Sequence, residues 1–189
     1  VIGGSSSIAT QIQEPGVILH TGTMASIAFG EWDGEESART EAFLNACKGA
    51  GIDATVFDDI NAVIWSKFVF LSSFSGITCR FKQSMGPIRE DPEKLALFRQ
   101  ALEETFAVAI AKGVTLKANL VDKRMAFADG LPAEMYASMY HDLVAGKRLE
   151  LPWLSGAEVD MGRQEGIETP AHQEFTDALT AFADGGAGK

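Results

Sequence analysis

The chain has 189 residues, 46% hydrophobic and 22% charged, a balance that suits one globular domain or one and a fraction. Its formal net charge of −10 argues against nonspecific nucleic-acid binding, although local lysines and arginines can still recruit a small anion. Cys47 and Cys79 form no CxxC or Cys/His pattern and read as reduced thiols; His20, His141 and His172 are scattered, so no metal site is expected.

Residues 1–32 are rich in Gly, Ser, Thr and β-branched residues. Gly16–His20 and Ser26–Gly30 read as short strands, Ile8–Ile12 as a third, and Pro15-Gly16 as a turn between them. From Glu35 the pattern becomes helical. Ser37 to Lys48 is amphipathic and stops at Gly49 and Gly51. Ile52–Phe57 is a short extended piece. A helix follows over about 58–75, with Asp58 or Asp59 as its cap. Asp91-Pro92-Glu93 starts a helix that runs to about Lys112 and ends at Gly113. Further helices are predicted at 120–128, 132–144 and 153–165, the last ending at Gly166. Thr169-Pro170 repeats the cap-then-proline start for a helix over about 170–183, and the Gly185–Lys189 tail is expected to fray. The chain therefore reads as mainly α: a short β segment, then about seven helices.

The start, Val1-Ile-Gly-Gly-Ser5, has no charged leader and no initiator methionine, and it reads as cut from something longer. The apolar run around 68–74 is too short to cross a bilayer, which needs about 20 residues. No G-x-G-x-x-G or G-x-x-x-x-G-K-[ST] follows a strand, so no phosphate-cradling loop is expected.

The most apolar stretch, Ile60 to Leu71, contains Lys67. Ile60, Val63, Ile64, Lys67 and Leu71 share one helical face, and Phe68, Val69 and Phe70 make the other side apolar. A lysine in a buried helix is a candidate proton donor. The plainer alternative is a lysine that snorkels outward from a core helix.

A second constellation lies between Met135 and Gly156. Ser138 and Asp142 stand one helical turn apart, and Glu150 sits in a connector between Leu149 and Leu151, just before Pro152 and Trp153. A carboxylate so flanked is expected to be partly buried and to need a partner, for which Lys67 is a candidate. The alternative is a helix-entry glutamate paired with Lys147 or Arg148.

Taken in order, these pieces resemble the C-terminal part of the ketopantoate reductase (2-dehydropantoate 2-reductase) family. Pro15-Gly16 to His20 with Phe29-Gly30-Glu31 resembles the last strands of its first domain. Ala50-Gly51-Ile52, Asp59-Ile60 and Trp65-Ser66-Lys67-Phe68 resemble its lysine helix. Ser138-Met139-x-x-Asp142 with Gly146, Glu150 and Gly156 resembles its signature block, and Gly166-Ile167-x-Thr169-Pro170 its final helix start. The resemblance implies a helical C-terminal domain like that of 6-phosphogluconate dehydrogenase over 33–189. Residues 1–32 would then be terminal strands of a nucleotide-binding Rossmann domain, the rest of which would bind most of the NADPH.

The activity implied is NADPH-dependent reduction of a 2-keto acid in pantothenate biosynthesis. Lys67 would be the general acid and Glu150 a second catalytic residue that also contacts the cofactor. Ser138, Leu71, Ser75 and Met135 would occupy substrate-binding positions. The chain departs from the family pattern where Leu71, Ser75, Met135 and Ser155 replace asparagines and Pro152 replaces an acidic residue, which favours a changed substrate. The charged atoms of Lys67 and Glu150 are expected within about 4–8 Å, directly or through one water.

The expected partners are a small 2-keto acid and a second copy of the chain, with no nucleic acid and no membrane, in the cytoplasm. The isolated chain is expected to be inactive, because it offers no glycine-rich turn for the nucleotide phosphates. Two other readings compete: a non-catalytic helical dimerisation or interaction module, and a reductase of a different ketone or an imine.

Overall fold

The structure, a computed structural model, describes residues 1–186; positions 187–189 of the tail expected to fray lie outside the described residues. The chain divides into two compact units, Val1–Ile64 and Trp65–Lys189.

In the first unit, β1 (Gly3–Glu14) and β2 (Val17–Gly30) form an antiparallel hairpin around the Pro15-Gly16 turn. The two strands predicted at 16–20 and 26–30 are one continuous strand, because β1 pairs along nearly its whole length, from Gly3↔Gly30 to Glu14↔Val17. The crossover helix α1 (Ala38–Gly49) leads to β3 (Asp53–Val56), which pairs in parallel with β2 from Ser26↔Asp53 to Phe29↔Val56. The sheet order is β1-β2-β3, so this unit extends past residue 32. Ser37 caps α1 in a reciprocal box with Thr40. Glu31 ion-pairs with Arg39 and accepts from Ser37, and these bonds hold its carboxyl down at about 2. Gly30 is required by packing: a Cβ there would lie 2.2 Å from the Phe57 carbonyl oxygen.

The long helix α2 (Ile60–Phe81) is capped by Asp59, whose carboxylate accepts from Ala62 N at 2.8 Å. It runs six residues beyond the expected end. Ser72, Ser73 and Thr78 resemble breakers, yet each hydroxyl bonds back to the carbonyl four residues earlier, at 2.7–3.0 Å, which lets a polar residue sit in a buried helix. By length and composition its 22 residues could cross a membrane, more than the run at 68–74 suggests; half of that apolar window is buried inside the fold.

The second unit continues with α3 (Met85–Glu90), α4 (Pro92–Ala111), α5 (Leu120–Asp129), α6 (Ser138–Val144), a 3-10 turn at Leu151–Trp153, α7 (Ser155–Glu165), α8 (Pro170–Leu179) and a 3-10 turn at Thr180–Phe182. Asp91 caps α4 as its motif predicts, accepting from Glu93 N and Lys94 N. Gly166 closes α7 in the left-handed region at φ 71.

One helix is additional to those expected, and one expectation fails for a tertiary reason. Helix α3 was not anticipated, being only six residues long with Pro87 inside it. Residues 132–137 are not helical. Their carbonyls serve α3 instead: Ala133 O accepts from Gly86 N at 2.7 Å and Met135 O from Met85 N at 3.0 Å.

Two apolar clusters fill the second unit. One gathers Val69, Phe74, Ile77, Met85, Ile88, Phe98, Leu102 and Phe175 with their neighbours. The other gathers Cys79, Met139, Leu143, Leu149, Leu151, Leu154 and Leu179, with Phe68, Leu71 and Tyr140 packed against it. Both cysteines are free and buried.

Candidate active site

The second apolar cluster joins the three elements that carry the predicted polar residues. From α2 it takes Phe68 and Leu71, from α6 Met139, Tyr140 and Leu143, and from the connector Leu149, Leu151 and Leu154. Lys67 directly precedes Phe68, Ser138 directly precedes Met139, and Glu150 stands between Leu149 and Leu151. All three polar residues are exposed. A dry, close-packed support thus fixes the backbones from which an ammonium, a hydroxyl and a carboxylate reach solvent.

Two expectations are corrected. Lys67 is exposed, as the outward-snorkelling alternative has it and not the buried one; beyond buried Ile60, the buried band of α2 passes through Val69, Ser72, Ser73 and Ile77. Glu150 is exposed rather than half-buried, because Leu149 and Leu151 turn inward, at 1% and 2% exposure, and the residue between them turns out.

The Glu150 carbonyl accepts from Trp153 N at 2.9 Å and Leu154 N at 3.1 Å, so the chain makes a tight turn where a helix start was expected. Helix α7 begins only after the break at Leu154. Neither basic neighbour pairs with Glu150: Lys147 lies 3.7 Å from Asp142, and the Arg148 guanidinium lies over the Trp153 ring at 5.1 Å.

Of the remaining predicted residues, Leu71 is half-buried against the same cluster. Met135 is half-buried against the other one. Ser75 is closed off from solvent, and its hydroxyl has no hydrogen-bond partner among the described residues. Leu71 and the chain neighbours of Lys67, Ser138 and Glu150 thus share one apolar cluster, to which Met135 and Ser75 do not belong.

Several groups escaped the sequence reading. Arg124 on α5 donates from Nη2 to Ser66 Oγ at 2.7 Å, one residue before Lys67, and burial pulls its guanidinium below the usual value. Tyr136 and Tyr140 stack at 3.9 Å on either side of Ser138 in sequence. Behind α4, α7 and α8 lies a buried polar group. Glu104 accepts the backbone N–H of Ala171 at 2.9 Å and of His172 at 3.1 Å, and burial raises its carboxyl.

In the same region, His172 contacts Thr105 Oγ1 at 2.9 Å and Ser155 Oγ at 3.3 Å, and burial lowers its ring to about 4. Glu158 has no hydrogen-bond partner among the described residues; burial, then the charge of Glu104, pushes its carboxyl up to about 8. Charged residues so far apart in sequence carry no periodic signal that would pair them.

A nicotinamide cofactor is only partly matched by these side chains. The exposed Glu150 carboxylate suits a ribose hydroxyl, since an ionised carboxylate only accepts. None of the described helices opens from a glycine-rich turn of the kind that holds a pyrophosphate.

Residues 59–183 match the model of the family described as ketopantoate reductase PanE/ApbA, C terminal. A 2-dehydropantoate 2-reductase of Mesorhizobium japonicum is 33% identical over 170 residues, 90% of this chain and 51% of that protein. A dimeric ketopantoate reductase from Staphylococcus aureus superposes with a TM-score of 0.84 at 25% identity, covering 96% of this chain and 61% of that one. A D-mandelate dehydrogenase in complex with NADH also reaches 0.84, at 19% identity over 95% of this chain and 61% of that one, a likeness of fold alone. The chain spans about half to three fifths of the length of the curated relatives it matches. By the family model and the fold together, this chain belongs to the ketopantoate reductase family, and its residues 59–183 are the part that matches the family's C-terminal domain.

Proposed function

We propose that the full-length protein is a nicotinamide-dependent 2-keto-acid reductase of the 2-dehydropantoate 2-reductase type, with Lys67 as its general acid. One observation supports this reading: Phe68, Met139, Leu149 and Leu151, the chain neighbours of exposed Lys67, Ser138 and Glu150, belong to one apolar cluster. Reduction of a keto group develops negative charge on the oxygen, and an ammonium held nearby stabilises that charge and delivers the proton. Ser138 Oγ donates to the substrate carboxylate. Glu150 orients the ammonium and accepts from a hydroxyl of substrate or ribose.

The nicotinamide nucleotide, NADPH in this reading, supplies the hydride when bound, and Lys67, Ser138 and Glu150 hold the acceptor. The names of the relatives support the reaction class; a role in pantothenate biosynthesis and a cytoplasmic location belong to the same proposal. The dimeric relative supports a homodimer. Leu71 and Pro152 are apolar, which favours a keto acid with fewer hydroxyls than ketopantoate.

The test is a panel of 2-keto acids with NADPH and with NADH, run on the full-length protein. Oxidation of NADPH dependent on one of these acids is expected. No turnover with any acid and either cofactor would overturn the reading.

A further inference from the structure

Arg124 is a half-buried cation with no ion-pair partner among the described residues. Its Nη2 donates to Ser66 Oγ at 2.7 Å, a neutral partner, and its Nε is buried with no partner. No carboxylate forms an ion pair with it among the described residues. The acidic residue nearest to it on α5, Asp122, is held by Arg99 at 2.9 Å, and Arg99 also takes Glu103. Burial lowers the guanidinium from its usual value, as expected where desolvation acts without a counter-ion.

Removing a cation from water without compensation is costly, and a half-buried arginine is ordinarily matched by a carboxylate. Here no described residue supplies the matching charge in an ion pair. The hydrogen bond to Ser66 fixes the guanidinium one residue from Lys67 on α2. A guanidinium has five N–H donors in a rigid fork, so the one bond to Ser66 leaves terminal donors for a planar oxyanion.

We propose that Arg124, steadied by Ser66, is an oxyanion-binding residue beside Lys67, and that it takes the carboxylate of the keto acid or a phosphate of the nucleotide. This rests on the reductase reading given above. The two ligands share one chemistry, paired oxygens carrying negative charge, and the test separates them.

The test uses the full-length enzyme with Arg124→Gln and Arg124→Lys, reading KM for the keto acid, KM for NADPH, kcat and thermal midpoint. Gln keeps a donor for Ser66 but loses the charge. A hydrogen bond to a charged group is worth about 1.5–3 kcal/mol, so KM for one anionic ligand should rise about 10- to 100-fold in Arg124→Gln. Arg124→Lys, which keeps charge but loses the fork, should fall between.

Because no described carboxylate pairs with the charge, Arg124→Gln should keep or raise the thermal midpoint. A rise confined to the keto acid assigns the carboxylate; a rise confined to NADPH assigns the phosphate; either supports the site. Unchanged KM values with turnover intact would overturn this inference alone. A lowered midpoint with uniform loss of activity in both variants would make Arg124 a structural residue and also overturn it. If the parent enzyme reduces no 2-keto acid, the reductase reading falls and this inference with it.

Discussion

Glu104 on α4 accepts the backbone N–H of His172 on α8 at 3.1 Å, and its other oxygen accepts from Ala171 at 2.9 Å. The first turn of α8 is therefore capped from a different helix. Thr169 occupies the cap position but makes no side-chain cap bond. Leaving two buried N–H groups without an acceptor costs about 1–3 kcal/mol each at most. Glu104→Ala should lower stability by about 2–4 kcal/mol, read as a fall in the urea midpoint, while Glu104→Gln, which keeps one acceptor oxygen, should lose less. Equal stability of Glu104→Ala and parent would remove the capping role.

Glu158 gives the second unit a distinct pH response. Its carboxyl keeps its proton up to about 8 in the fold, against an ordinary value of 4.5. The folded state therefore binds an extra proton between those limits, and this group makes stability fall as pH rises through them. His172 acts with the opposite sign: its ring is lowered from 6.5 to about 4, so its share of stability is lost as pH falls through that window. Above 6.5 only Glu158 of the two still titrates. Glu158→Gln should remove a slope approaching about 1.4 kcal/mol per pH unit between pH 6.5 and 7.5. Denaturation curves at those pH values, taken for both proteins, would show parallel pH dependence if the carboxyl were ionised in the fold.

Local signals fixed what is local. Asp59 and Asp91 cap helices as their sequence context predicts, Pro15-Gly16 turns the hairpin, and Gly166 ends α7. Tertiary demand decided the rest. The segment before Ser138 has helical composition, but its carbonyls are claimed by α3. Lys67 shares a helical face with apolar residues in projection, yet the packed face of α2 is rotated away from it. Glu150 looks sheltered between two leucines only if all three point one way, and the 3-10 turn sends the leucines in and the glutamate out. The Glu104–Glu158–His172 group joins residues up to 68 positions apart, which no periodicity connects.

Gly76 tests the packing behind the site. It lies in α2 against Phe175 of α8, and a Cβ there would come within 2.2 Å of the ring. Phe175 is fully buried, so the ring has little room to retreat. Although alanine is the better helix former by about 1 kcal/mol, overpacking costs about 1–3 kcal/mol or more. Gly76→Ala should therefore destabilise the protein, and Gly76→Ala with Phe175→Leu should recover part of the loss. A more stable single variant would show that α2 and α8 can part without cost.

Lys67 is assigned to charge that exists mainly in the transition state, and this separates its effect from that of a binding residue. In the full-length enzyme, Lys67→Ala should lower kcat by about 10²–10⁴-fold and leave KM for NADPH nearly unchanged. Near-normal turnover would refute the assignment. Leu71 lies one helical turn further along α2, half-buried on the cluster that supports Phe68 and Leu151. An apolar wall leaves a substrate hydroxyl unpaired at about 1–3 kcal/mol. Leu71→Asn should therefore improve kcat/KM for a hydroxylated acid such as ketopantoate relative to an unsubstituted apolar one, by about 5- to 100-fold if the amide reaches that hydroxyl. The same change exposes an amide to the cluster, so some loss of stability is expected with it. Lost stability with an unchanged ranking of substrates would place Leu71 wholly in the apolar support and leave recognition of the hydroxyl to Glu150 and Ser138.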